Sequence, residues 1–216
     1  MLQTNEKINT IEMRTVIQII LLAGIVVIGY LLYQSIEEPI SFNQKKKKRY
    51  QATIQKLKDI RTAQLAYKSV TDTFTGSFDT LTTFIKQDSI PVVRAVGFVP
   101  DTLTEKEAVE MGLVTRDTSK VSTLDSLFSP DYPIDSLRYV PYTGGEKFIM
   151  GAKILETKSG VDVPVFEARA PNHVILKGLP EQQIINLNAE AKRLERYPGL
   201  KVGSLRETNN NAGNWE

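Results

Sequence analysis

TVIQIILLAGIVVIGYLLY, Thr15 to Tyr33, is the stretch from which the rest of the chain hangs. About nineteen residues pass without a charged side chain, and at about 1.5 Å of rise each they cover a hydrocarbon layer of roughly 30 Å. Gln18 is the only strongly polar side chain inside. Each central Leu, Ile or Val favours insertion by about 0.3–0.6 kcal/mol, and Tyr30 and Tyr33 stand at one end, where amphipathic rings prefer the interface. A core helix would carry a polar face. A cleaved leader would have an apolar run of about 7–15 residues and a small-x-small site. The run here is longer and passes into Tyr33-Gln34-Ser35-Ile36-Glu37-Glu38, so residues 14–36 read as a retained transmembrane helix. Gly24 and Gly29 are five apart and do not make the four-residue glycine seam of helix dimers. The stretch Thr15 to Tyr33 holds no acid or base and so is no intramembrane ion relay.

Working outward, residues 1–13 are a polar tail, expected on the cytoplasmic side and without fixed structure. Downstream, Pro39 is expected to interrupt or bend the helix. Ser41-Phe42-Asn43-Gln44 has capping-box form and restarts it as a stalk helix over 41–70. Tyr50, Ile54, Leu57, Ile60, Ala63, Tyr67 and Val70 recur at three- and four-residue steps and make one face. That face docks on the protein's own domain or packs on neighbouring subunits. Lys56, Lys58, Asp59, Arg61 and Gln64 are assigned to the other faces.

Residues 71–205 form one globular domain, and 206–216 a polar C-terminal tail. A short helix is expected around 79–87, with Phe78, Leu81, Phe84 and Ile85 inward. A strand follows from Ile90 to Val99, then a helix opened by the box Thr104-Glu105-Lys106-Glu107 and closed by Gly112, then an apolar turn at 124–128. Strands are expected at Ser136–Tyr142, through Phe148, Met150, Ala152 and Ile154, at Val161–Ala168 and at Val174–Leu176, with turns at Gly144-Gly145 and Ser159-Gly160. Pro180 opens an amphipathic helix with Ile184, Leu187, Ala191 and Leu194 inward, ended by Tyr197-Pro198-Gly199. Leu200–Leu205 is extended, and Trp215 docks on the domain or waits for a partner. The class is α+β: a transmembrane helix continuing into a long stalk helix, then a domain with an antiparallel sheet and short helices.

The chain has 216 residues, a net charge of +2 and no cysteine, which excludes disulfides, thiolate catalysis and cysteine metal sites. One histidine, His173, makes a zinc site or a nucleophilic triad improbable. No Gly-x-Ser-x-Gly elbow, P-loop or dinucleotide glycine pattern occurs. Asp72, Thr73, Thr75, Ser77 and Asp79 gather oxygen ligands, but without the calcium-loop pattern. The reading is therefore no enzyme, no cofactor and no metal. The run Lys45 to Arg49 reads as a solvated basic turn, with anionic lipid as the alternative. Few aromatics and a near-neutral chain argue against nucleic acid. That basic run also falls where the positive-inside rule counts and by itself points the domain to the cytoplasm. Glu37 and Glu38 lie nearer the span, and a short N-terminal tail ahead of a signal-anchor stays inside, so the outward orientation is preferred.

The segment LKDIRTAQLAYKSVTDTFTGSFDTL, Leu57 to Leu81, resembles type IV pilin-like proteins, above all the major pseudopilins of type II secretion. Ile60, Arg61, Ala63, Gln64, Ala66, Tyr67, Phe74, Thr75 and Leu81 carry the likeness. Family members are exported, anchored by the N-terminal helix, and assemble with their long helices packed together. No prepilin-peptidase site precedes Thr15, and the span lacks the acidic residue near its start. The stretch Tyr197 to Leu205 and the Asn-Asn-Ala-Gly-Asn-Trp ending also look like single-span envelope proteins of Bacteroidota, a likeness that brings no function with it. Together these imply a single-pass inner-membrane protein with a periplasmic domain. Its partners would be the bilayer and other proteins or further copies, met through the stalk. Its role would be assembly or scaffolding, or alternatively ligand or cell-wall binding. Tyr50, Ile54, Leu57, Arg61, Tyr67 and Trp215 are the candidate contact residues.

Overall fold

The computed structural model describes residues 2–97, 104, 107, 111, 114–129, 131–157 and 160–216. The first element, α1 (Leu2–Thr71), is one continuous helix of 70 residues. Its apolar part begins at Val16 and has a window of mean hydropathy 2.5, none of it buried by the chain. It is long and apolar enough to cross a membrane. Residues 2–13, expected as an unstructured tail, belong to the same helix. Pro39 lies inside α1 rather than ending it. A proline there removes the bond to the carbonyl of Ser35 and crowds it, and the exposed residues on either side leave room for the helix to adjust without breaking.

From Phe42 onward α1 becomes the centre of the domain. Phe42, Leu57, Ile60, Ala63 and Ala66 are buried, with Thr53 and Gln64 fully covered among them. The buried arc is therefore wider than the apolar stripe. Gln64, expected on an outer face, donates to the Thr75 carbonyl at 2.6 Å and accepts from the Thr75 amide at 3.1 Å. One side-chain amide thus pairs with one backbone residue as a strand neighbour would. Val70, expected on the stripe, is exposed. Asp72 then takes a left-handed conformation, φ 58°, and its amide closes the helix on the Lys68 carbonyl at 2.9 Å.

Helix α2 (Phe78–Gln87) is capped by the Ser77 side chain and buries Leu81, Phe84 and Ile85. Strands β1 (Ser89–Gly97) and β2 (Val114–Ser122) form an antiparallel ribbon with Ser89 opposite Ser122. β2 has no apolar alternation and goes unread in the sequence. The end of the expected β1 at Val99 and most of the expected helix to Gly112 fall outside the described residues. The capping box itself forms, with Thr104 N and Oγ1 both donating to Glu107 Oε2 at 2.8 and 2.7 Å. Helix α3 (Thr123–Leu127) replaces the expected turn, and Thr123 ties it to the Asp88 carbonyl through both its amide and its hydroxyl.

The strand expected at Ser136–Tyr142 is not formed. A 3₁₀ helix covers Ile134–Arg138, and only one bridge, Tyr139 to Lys147, remains of the hairpin. The reason is the period: Ile134, Leu137 and Val140 are all buried, every third residue, which suits three residues per turn rather than alternation. Gly144 and Gly145 make the expected turn at φ 75° and 113°.

The main sheet holds β3 (Ile149–Glu156), β4 (Asp162–Pro171) and β5 (Gly199–Gly203), all antiparallel in the order β3-β4-β5. Phe166, Ala168 and Ala170 of β4, with Leu200 and Val202 of β5, are buried. Phe166 meets Phe74 at 4.9 Å between ring centroids. The strand expected at Val174–Leu176 is instead α4 (Asn172–Ile175), one helical turn. Ile175 and Leu176 are adjacent and both fully buried, whereas a strand would send them to opposite faces. Helix α5 (Glu181–Arg193) starts after Pro180 and ends before the expected Tyr197, with Glu195 left-handed at φ 53°.

The segment after β5 is not a loose tail. Asn214 lies along β5, its amide donating to Lys201 O and its side-chain oxygen accepting from Lys201 N, both at 3.0 Å. Gly203 sits at φ 71°, and a Cβ there would lie 2.1 Å from the Phe166 carbonyl oxygen. Gly203→Ala should destabilise the domain by at least about 2 kcal/mol, since left-handed strain and a backbone clash add. Urea unfolding of the full chain in uncharged detergent checks this, and an unchanged midpoint would refute it. Gln64→Ala should cost about 2–4 kcal/mol in the same assay, because both backbone groups of Thr75 lose their partner.

Candidate functional site

The candidate contact residues on α1 are drawn into the chain's own interior to different depths. Leu57 is fully buried. Tyr67 is partly buried and meets Phe84 edge to face at 5.2 Å. Arg61 donates to Glu216 Oε1 at 2.8 Å and to the Asn211 carbonyl at 3.4 Å, which fastens the C-terminal segment to the helix. That guanidinium, with the Gly213 amide, holds the Glu216 carboxyl below the usual carboxylate range. The residues carrying the pilin-like likeness are explained in the same way. Ile60, Ala63, Gln64, Ala66, Phe74 and Leu81 are all buried where α1 meets the 72–77 turn and α2.

Tyr50, Ile54 and Trp215 come together. They line a groove of about 300 Å³ between α1, α5 and the C-terminal segment, closed on the α5 side by Leu187 and Leu194. Ile54, Leu187 and Trp215 are partly buried there and Leu194 is exposed. The helix face expected to be covered thus stays half open. Tyr50 Oη donates a short hydrogen bond to Asn172 Oδ1, and Asn172 Nδ2 donates to Asn188 Oδ1 at 2.9 Å. Burial pushes the Tyr50 phenol up to about 12. Trp215 Nε1 is buried and, among the described residues, is the one such side-chain atom without a hydrogen-bond partner. An unmet buried donor of this kind costs about 1–3 kcal/mol.

Asn172 was missed in the sequence, where the Pro-Asn-His context draws attention to His173 instead. His173 is exposed on α4. The basic run is partly consumed by the domain. Arg49 donates to the Ile175 and Lys177 carbonyls at 3.1 and 2.8 Å, capping the α4 turn, and Lys48 lies over the Tyr142 ring at 5.7 Å. On another side of α1, Lys56 donates to Tyr132 Oη and Ser136 Oγ, and Tyr132 donates to Asp59 Oδ2 at 2.6 Å. Burial lowers the Lys56 ammonium pKa, and burial with Asp59 raises that of the Tyr132 phenol. This network ties the loop before the 3₁₀ helix to α1. Among the described residues no three His, Asp or Glu side chains gather as a metal site. The groove offers apolar contact and amide hydrogen bonds, which is the chemistry of recognition.

No protein-family model, curated protein or solved structure matches this chain.

The Tyr50 phenol has a higher pKa folded than unfolded, so its contribution to stability is complete below pH 10 and is lost as pH rises from 10 to about 12. Tyr50→Phe should lose about 1 kcal/mol at neutral pH, with the bond to Asn172 removed, and should flatten that alkaline decline. Unfolding midpoints recorded across the range check this. An identical slope in the two proteins would show that Tyr50 is not the titrating group.

Proposed function

We propose that the chain is a single-pass, non-enzymatic protein of the inner membrane. Its domain lies in the periplasm and serves assembly or scaffolding of a pilus- or secretion-like complex. The carrying observation is the continuity of α1. An apolar segment that the chain leaves wholly uncovered runs without a break into the helix on which the domain is built. Uncovered Leu, Ile and Val on every side of a helix need lipid or other apolar helices around them. The order of parts also supports a pilin-like plan: long helix, intervening ribbon, then antiparallel sheet.

On the solvent side of α1, Leu65 is 45% exposed and stands opposite the docked face, where a neighbouring helix would meet it. Native membranes carrying Leu65→Cys should give intermolecular disulfides on mild oxidation, since the chain has no other cysteine. Monomer alone would sink assembly through the stalk. Orientation has its own probe. Ser129 is exposed, and Ser129→Cys should react with a membrane-impermeant maleimide in cells whose outer layer is permeabilised. Reaction only after lysis would place the domain in the cytoplasm.

A second reading, a membrane-anchored ligand- or cell-wall-binding module, draws support from the half-open groove beside Tyr50 and Trp215. Trp215 is the single tryptophan, so a ligand entering that groove would change the protein's intrinsic fluorescence.

A further inference from the structure

The outer face of the main sheet, away from α1, carries a second concavity of about 380 Å³. Its floor is set by register. Arg169 of β4 lies directly opposite Lys201 of β5, and two residues earlier Glu167 lies opposite Gly203 on one side and Gly151 on the other. With no side chain on either glycine, Glu167 has no cross-strand neighbour, and Arg169 and Lys201 lean toward it. Its carboxylate meets Arg169 Nη1 at 3.2 Å and Lys201 Nζ at 3.7 Å, with Glu167 itself 8% exposed. One buried carboxylate thus holds two cations.

Two more cations complete the wall. The connector between α5 and β5 brings Arg196, and the chain just after β5 brings Arg206. Neither guanidinium has a hydrogen-bond or ion-pair partner among the described residues. Tyr197 stands between the groups, its ring 5.9 Å from the Arg169 guanidinium. The lining holds four cations against two carboxylates, Glu167 and Glu195, in a chain whose overall charge is only +2. A concave wall of one excess sign concentrates the field and draws counter-ions. Guanidinium forks match the paired oxygens of phosphate and carboxylate, and they do so with charge-assisted bonds.

We propose that this pocket binds a small oxyanion, a phosphate or carboxylate group, held by Arg196 and Arg206 with Lys201 and Arg169 behind them. The site shares Arg196 and Tyr197 with the groove lined by Trp215, while Glu167, Arg169, Lys201 and Arg206 do not line that groove. It is independent of assembly through the stalk.

Isothermal titration of the full chain in uncharged detergent tests this, with pyrophosphate and citrate as probes at about physiological ionic strength. The expected result is saturable binding at one site by at least one probe. Each of Arg196→Ala and Arg206→Ala should weaken it about tenfold or more, the loss of one charge-assisted bond. Tighter pyrophosphate binding names phosphate as the source, and tighter citrate binding names carboxylate. Neither arginine makes a bond that folding needs, so both variants should keep the wild-type unfolding midpoint. Lys45→Ala removes the same charge from α1 and should leave the affinity unchanged. The proposal falls if neither probe binds more tightly than about 1 mM. It also falls if the arginine variants bind as well as wild type, or if the lysine variant loses binding equally.

Discussion

Nearly every layer of the domain is packed against the same thirty or so residues of α1, so the fold stands or falls with that one docking face. The main sheet, α2, α3, α4, the β1–β2 ribbon and the 3₁₀ turn all touch this helix. At its heart are Leu57, Ile60 and Ala63, fully covered, and Gln64, whose amide has exchanged water for the backbone of Thr75. A buried amide is tolerable only when both its donor and its acceptor are met. Here they are met by a residue that α1 itself does not contain. The register between helix and turn is thereby fixed as well as the distance, which apolar contact alone leaves looser.

Polar fastenings around the edge of this face share a pattern: a side chain on α1 reaches a part of the chain that has no ladder partner of its own. Arg49 takes the carbonyls at the end of α4, Lys56 and Asp59 take Tyr132, and Arg61 takes Glu216. Exposed ion pairs such as the last are screened by water and add little stability singly. Their effect is to hold irregular segments where apolar packing is thin. The C-terminal segment shows this well, since it also covers the outer edge of β5, the Ala212 carbonyl accepting from the Gly203 amide and the Asn214 amide donating to the Lys201 carbonyl. A bare strand edge invites pairing with other chains, and here the protein pairs it internally.

What could be read from the sequence follows from how strongly local pattern constrains each part. The apolar run of α1 was legible by its length, and the inward face of α2 and the proline start of α5 because each helix is amphipathic or capped on its own; the face expected of β3 was not, since Ile154 is exposed. β2 was not, because the sequence of Val114–Ser122 has no apolar alternation and the strand is paired along its length with a distant segment, β1. The 3₁₀ turn and α4 were misread as strands because Leu137, Ile175 and Leu176 are apolar residues whose burial period is not two. Tyr50 and Trp215 were each visible as unusual residues, yet nothing local said that they would meet. The same holds for the cationic pocket. Arg169, Arg196, Lys201 and Arg206 are scattered until the pairing of β4 with β5 sets two of them side by side.

The continuity of α1 through Pro39 has a mechanical meaning. From Tyr33 to the first buried residue, Phe42, is about 14 Å along the helix, and from Tyr33 to Thr71 about 57 Å. No flexible linker intervenes. In a bilayer such a helix acts as a lever, because spans tilt by about 20° on average and by more where the hydrocarbon layer is thin. A tilt of that size would carry the far end of α1 sideways by about 20 Å. The orientation of the domain would then report the thickness of the membrane that holds it.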